Sequence, residues 1–292
     1  MNVCFTGSKS IADSAFQHYI ASDYTTAGMS LDLSQFAAVL LDLDGTIYHD
    51  DFALPGAVSL IHRLQAEKRP FACLSNTTTS PLRVSERLGR MGIDLDPSHI
   101  YTAAAATADY VLATFGKTRR PRVFNLSTQG MHDMLDGSVD WVSTAGEPCD
   151  AVIAGNPINV FATEERQRLA LQLLRKNAAL LGICADRVYP SPRGLEFGSG
   201  AFSAMLSFAA QVTPTFCGKP NAIFFHELCR RLNVEPTQCL LIGDNIEADV
   251  AGAKAVGMKA ALVLTGVTRR RDLMTVAKEL QPDVVLEELT EV

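Results

Sequence analysis

Cysteines at metal-binding spacing are missing from this chain. Its seven cysteines (Cys4, Cys73, Cys149, Cys184, Cys217, Cys229 and Cys239) form no CxxC pair, and their number is odd. A zinc site and a disulfide framework are therefore not expected. Thiols placed inside apolar runs behave as small hydrophobes and point to a reducing, cytoplasmic compartment. Blocks of one charge sign are equally scarce. Lys and Arg number 26 against 32 Asp and Glu, a formal net charge of −6, and Arg269–Arg271 is a short basic spot in an acidic chain. That balance excludes an extended polybasic surface for nucleic acid or anionic membrane. No apolar run approaches the roughly 20 residues of a membrane span. Residues 1–30 lack a basic start followed by a continuous apolar centre, so they read as an N-terminal extension without a role rather than a secretory signal.

What the chain does have is alternation. Its 292 residues, 47% of them hydrophobic, suffice for one large or two ordinary domains. Strand-like runs at 37–43, 70–75, 122–126, 150–154, 180–185, 239–243, 258–264 and 283–286 alternate with amphipathic stretches at 56–67, 81–91, 103–115, 163–177, 199–210, 221–232 and 247–256. Several of the runs are apolar throughout, as strands covered on both faces must be. The pattern predicts an α/β fold with a parallel sheet.

Ligands of such sheets sit beyond the carboxyl ends of the strands. The polar residues there are Asp42 and Asp44 after the first strand, Ser75, Asn76 and Thr77 after the second, and Asp244, Asn245, Glu247 and Asp249 after the run at 239–243. Lys219 stands at a helix start in CGKPN. Acidic groups gathered at one sheet edge repel unless a cation joins them. An all-oxygen donor set without His or Cys favours a hard ion, Mg²⁺. Carboxylates, Mg²⁺ and a lysine together suit phosphate chemistry, with hydroxyls and N–H groups holding phosphate oxygens. Asp42 is then the candidate nucleophile and Asp44 the candidate acid and base. Each group alone has a plainer reading, as a turn, a helix cap or a dipole partner. Jointly, buried acids of this kind are too costly to be incidental.

Other motifs fail. HELCR ends in Arg230, not the second His of a zinc-protease helix, and Gly218-Lys219 is followed by Pro220, so it is no P-loop.

The strings DLDGT (42–46), SNT (75–77), GKP (218–220) and GDNIEAD (243–249), in that order, resemble the four motifs of the haloacid-dehalogenase superfamily. DGTIY, GKPN and VLTGV (263–267) are similar to its subclass IIA phosphatases. The resemblance implies a Rossmann-like catalytic core and an inserted α/β cap domain. By position it implies Asp42 as nucleophile, Asp44 as general acid and base, and Ser75, Asn76 and Lys219 as phosphate-binding residues. It implies metal ligation by Asp42, Asp244 and the Asp44 carbonyl, with Asp249 supporting the metal's surroundings. Ser75 follows Asp44 by 31 residues, which leaves no room for a cap, whereas Lys219 follows Ser75 by 144. The expected division is therefore 31–116 and 214–292 for the core and 117–213 for the cap. Within the cap, ADRVYPSPRG (185–194) resembles the subclass's substrate-specificity loop, which makes Asp186 and Arg187 candidates for touching the leaving group. The expected activity is hydrolysis of a small phosphate ester. The alternatives are phosphotransfer of the mutase kind and phosphate sensing without turnover. Capped relatives often dimerise, so a homodimer is carried as an expectation, although no interface is readable in the sequence.

Overall fold

The computed structural model describes residues 31–292 apart from Ile158 and Pro192. The extension at 1–30 lies outside the described residues. The chain is α/β, built on two parallel sheets. The larger has six strands, in the order Val284–Leu286, Lys259–Val263, Cys239–Gly243, Ala38–Asp42, Phe71–Ser75 and Ile100–Thr102. Every neighbouring pair is parallel.

Side chains alternate across this sheet as a two-residue period demands. Val39, Leu41, Leu240 and Ile242 join the core on one face, while Ala38, Leu40 and Leu241 join the core on the other. Both faces are covered, and Ala38–Asp42 is buried along its whole length. The chain leaves this first strand toward Phe71–Ser75 and later returns on its other side at Cys239–Gly243. The strand order reverses there, and such a switch point opens a crevice at the carboxyl ends. Asp42 and Asp244 stand on its two sides.

The second sheet has five strands, in the order Thr215–Phe216, Ala179–Gly182, Ala151–Ala154, Arg122–Leu126 and Asp140–Trp141, also parallel throughout. It is inserted between strands of the first. Thr215–Phe216 carries this sheet past the boundary at 213 read from the sequence. Phe124, Leu126, Val152 and Leu180 pack under Phe202 and Leu206 of the helix Ser199–Ala210. Val123, Ile153 and Leu181, on the opposite face, share a core with Leu40 and Leu241 of the first sheet.

Two antiparallel hairpins complete the strands, Tyr48–His49 with Phe52–Ala53 and Val188–Ser191 with Gly194–Phe197. The second occupies the stretch whose sequence reads as turn. The helix read at 247–256 is π-helical over Ile246–Val250 and α-helical over Ala251–Ala255. No helix among the described residues is long and apolar enough to cross a membrane.

Candidate active site

Asp42 ends a fully buried strand, and the chain must turn at once to keep from running through the crevice. Gly45 makes that turn at φ +86°, where a side chain would be strained. A Cβ on Gly45 would also fall 2.5 Å from Asp244 Oδ2. The Gly45 N–H donates to Tyr48 O at 2.8 Å, and the N–H groups of Ile47 and Tyr48 converge on Leu43 O. This tight loop leaves the Asp44 side chain exposed at the crevice mouth while Asp42 is buried beneath it.

The centre of the site is Lys219. It is 3% exposed, and its Nζ donates to Asp42 Oδ1 and, at 2.7 Å, to Asp249 Oδ1. Asn76 Nδ2 donates to Lys219 O at 3.0 Å, so the second strand's loop holds the lysine segment in place. The other Asp249 oxygen accepts from Asn245 N–H at 3.2 Å. Asp249 therefore spends both oxygens on protein donors. Asp244 accepts from Val267 N–H through Oδ2 at 2.5 Å. One oxygen each of Asp42, Asp244 and Asp249 can be drawn together within 4.8 Å, in a set buried throughout.

Charge bookkeeping identifies what such a cluster suits. Three buried carboxylates face one ammonium, which leaves two negative charges uncompensated. The acids respond accordingly. Burial pushes Asp42 well above the usual carboxylate range, with Asp249 and Asp244 adding to the rise and Lys219 opposing it. Burial raises Asp244 to about 6, against the Val267 hydrogen bond. Burial alone would lower Lys219, but the Asp249 and Asp42 carboxylates outweigh it and raise the ammonium above its ordinary value. Loss of hydration also raises Asp44, and Arg87 opposes this. A divalent, oxygen-seeking cation fits both the charge deficit and the donor set.

A cavity of about 700 Å³ opens above the cluster. It is lined by Asp42, Asp44, Ser75, Asn76, Thr77, Lys219, Asp244, Asn245, Asp249 and Asp186, so of the residues singled out in the sequence the structure leaves Glu247 and Arg187 outside the lining. Arg187 is exposed and does not line it.

Other lining residues escaped the sequence reading. Thr265 Oγ1 donates to Gly45 O at 2.6 Å, tying the loop after Lys259–Val263 to the loop after Asp42. Gly266 lies so close to Asp244 that a Cβ there would stand 2.6 Å from its Cγ. The signal was present, since TGV follows an apolar strand at the same sheet edge. From the inserted segment come Asn156 and Cys184, just after strands of the second sheet, Tyr189 of the hairpin Val188–Ser191, and Ser199 at the start of the helix Ser199–Ala210.

Comparison with known proteins agrees with this geometry. A haloacid dehalogenase-like hydrolase family model matches residues 39–138, and a HAD-hydrolase-like model matches 216–292. An acid sugar phosphatase of Staphylococcus aureus is 30% identical over 260 residues, covering 89% of this chain and 97% of its own. Among solved structures, a 4-nitrophenylphosphatase from Thermotoga maritima superposes with a TM-score of 0.78 at 28% identity, over 88% of this chain and 96% of that one. A p-nitrophenyl phosphatase from Archaeoglobus fulgidus gives 0.78 at 25% identity, over 88% and 98%. This chain belongs to the haloacid-dehalogenase-like hydrolases and is a phosphatase of that superfamily.

Proposed function

We propose that the enzyme hydrolyses a small phosphomonoester with Mg²⁺, through a phosphoryl group carried transiently on Asp42. The observation that carries this reading is the buried Lys219 joining Asp42 to Asp249 beside Asp244, at the floor of a substrate-sized cavity. Asp42, Asp244 and the Asp44 carbonyl would hold Mg²⁺, with Asp249 steadying its surroundings. The ion supplies charge neutralisation for the phosphate. The remaining work falls to the chain's own groups.

Lys219, Ser75 and Asn76 bind the phosphate and align it with Asp42. Asp42 attacks phosphorus, and the ester oxygen departs with the proton that Asp44 delivers. Asp44 is suited to this because burial raises its proton affinity above the ordinary carboxylate value and because it lines the cavity from an exposed place two residues beyond Asp42. It then takes a proton from the water that attacks the phosphorylated Asp42, which releases phosphate. Core residues 31–116 and 214–292 carry this chemistry in our reading. Residues 117–213, with the edge strand Thr215–Phe216, form the cap that excludes water and presents Asp186. The six described cysteines are all free, which supports a cytoplasmic setting.

The test is phosphate release from a phosphomonoester panel with Mg²⁺ or with chelator, beside Asp42→Asn. Turnover that needs Mg²⁺ and disappears in the variant is expected. Full turnover by Asp42→Asn would overturn the assignment.

A further inference from the structure

The side of the cavity away from the metal cluster is built by the inserted segment, from Asn156 and the stretch Cys184–Ser199, and its chemistry is one-sided. Lys219 is the one lysine or arginine among the described lining residues, and it is already engaged by two carboxylates. Arg87, which influences Asp44, does not line the cavity and is engaged elsewhere, donating to Asp50 O at 2.6 Å and lying close to Asp51. Five aspartates line the same cavity: Asp42, Asp44, Asp186, Asp244 and Asp249.

Asp186 is an exposed acid at the cavity, but one of its carboxylate oxygens is engaged by the fold. Cys184 Sγ donates to Asp186 Oδ2 at 3.0 Å. The Ser199 hydroxyl donates to Cys184 O at 2.9 Å, accepts from Cys184 N–H at 3.2 Å and lies 2.9 Å from Cys184 Sγ, so the thiol is held between Ser199 and Asp186. Cys184 is itself buried, 4% exposed, and burial and the Asp186 charge push its thiol to about 12, so it stays a protonated donor. The backbone is fixed as well. Gly200 N–H donates to Asp186 O at 3.0 Å, and a Cβ on Gly200 would come 2.8 Å from that oxygen. The carboxylate is thus held at the cavity wall with its other oxygen able to accept.

Resting on the phosphomonoesterase reading of this site, we propose that Asp186, positioned by Cys184 and Ser199, selects esters whose leaving alcohol is neutral and hydroxyl-bearing and rejects those whose alcohol carries a carboxylate or a second phosphate. A divalent ion and Lys219 balance Asp42, Asp244 and Asp249. The phosphate dianion then fills the site's remaining tolerance for negative charge. A further anion would meet Asp186 with no free lysine or arginine in the lining to answer it, whereas a hydroxyl would find an acceptor already oriented. Cys184 is a positioning residue in this scheme, acting through Asp186.

Glycerol 1-phosphate and 3-phosphoglycerate test this cleanly, because they differ by a CH₂OH against a carboxylate at one end. The wild-type enzyme with Mg²⁺ should show kcat/KM at least about tenfold higher for glycerol 1-phosphate, a floor set between a like-charge contact in bulk water and one near a protein surface. Asp186→Asn should shrink that ratio severalfold. Cys184→Ala should raise KM for glycerol 1-phosphate with little change in kcat, and Cys184→Ser, which keeps a donor, should restore it. Melting curves check that each variant is folded. Equal use of the two esters by an enzyme that hydrolyses p-nitrophenyl phosphate would overturn this inference alone. An unchanged ratio in folded Asp186→Asn would do the same. No turnover of any of the three esters would overturn the reading of the site and this inference with it.

Discussion

Lys219→Met replaces the one buried ammonium of the site by an uncharged side chain of similar length. Lys219 is 3% exposed and is bonded to Asp42 and Asp249, which are 5% and 1% exposed. Removing it leaves three buried aspartates without a cationic partner. Breaking a buried ion pair from one side typically costs about 3–5 kcal/mol. For a chain of this size each kcal/mol lowers the melting temperature by about 2–4 °C, so a fall on the order of 10 °C is expected in chelator. Circular dichroism melts read this directly. The charge balance can be probed a second way, with Asp249→Asn. In the wild type that change should destabilise, because it strips Lys219 of a partner. In the Lys219→Met background it should stabilise, because it removes a carboxylate that nothing balances. Melting of Lys219→Met within about 2 °C of the wild type, or the same sign for Asp249→Asn in both backgrounds, would refute the reasoning.

Two further outcomes follow from particular contacts. Gly266→Ala would push a methyl group against the Asp244 carboxyl and disturb its bond from Val267 N–H. Titration calorimetry should show Mg²⁺ affinity weakened about 10–100-fold, and unchanged affinity would contradict the role given to that loop. Asp150 accepts from Arg119 at 2.7 Å through both oxygens, and from Arg122, and these bonds hold its carboxyl far below the usual range. A group depressed in the folded state contributes stability above its unfolded pKa of about 3.9 and loses it as the pH falls below that value. Asp150→Ala should therefore cost about 2 kcal/mol at pH 7, and denaturant melts should show the gap closing as the medium is acidified.

Much of this site was legible because strands buried on both faces advertise themselves. Ala38–Asp42, Phe71–Ser75 and Cys239–Gly243 are continuous apolar runs, and the polar residues that end them are the ones that line the cavity. What escaped was short or depended on tertiary contact. The strands Ile100–Thr102, Asp140–Trp141 and Thr215–Phe216 have two or three residues, too few to show a period. The hairpin at 188–197 hides among turn residues. Its antiparallel register, Val188 with Phe197, leaves both of these side chains exposed, while Tyr189 one place along reaches the cavity. Cys184 looked like a small core hydrophobe, and nothing local marks it as the donor that steadies Asp186. That role exists only once Ser199, fifteen residues on, holds the Cys184 backbone and stands beside its thiol.

Asp42 as the carrier of the phosphoryl group is the step on which everything else depends. Quenching the enzyme during turnover of p-nitrophenyl phosphate with Mg²⁺, then reducing with borohydride, converts a phosphorylated aspartate to homoserine, which peptide mass spectrometry locates. The account predicts homoserine at position 42 and none in the Asp42→Asn variant. Steady turnover with position 42 unmodified, or homoserine at another aspartate, would contradict it.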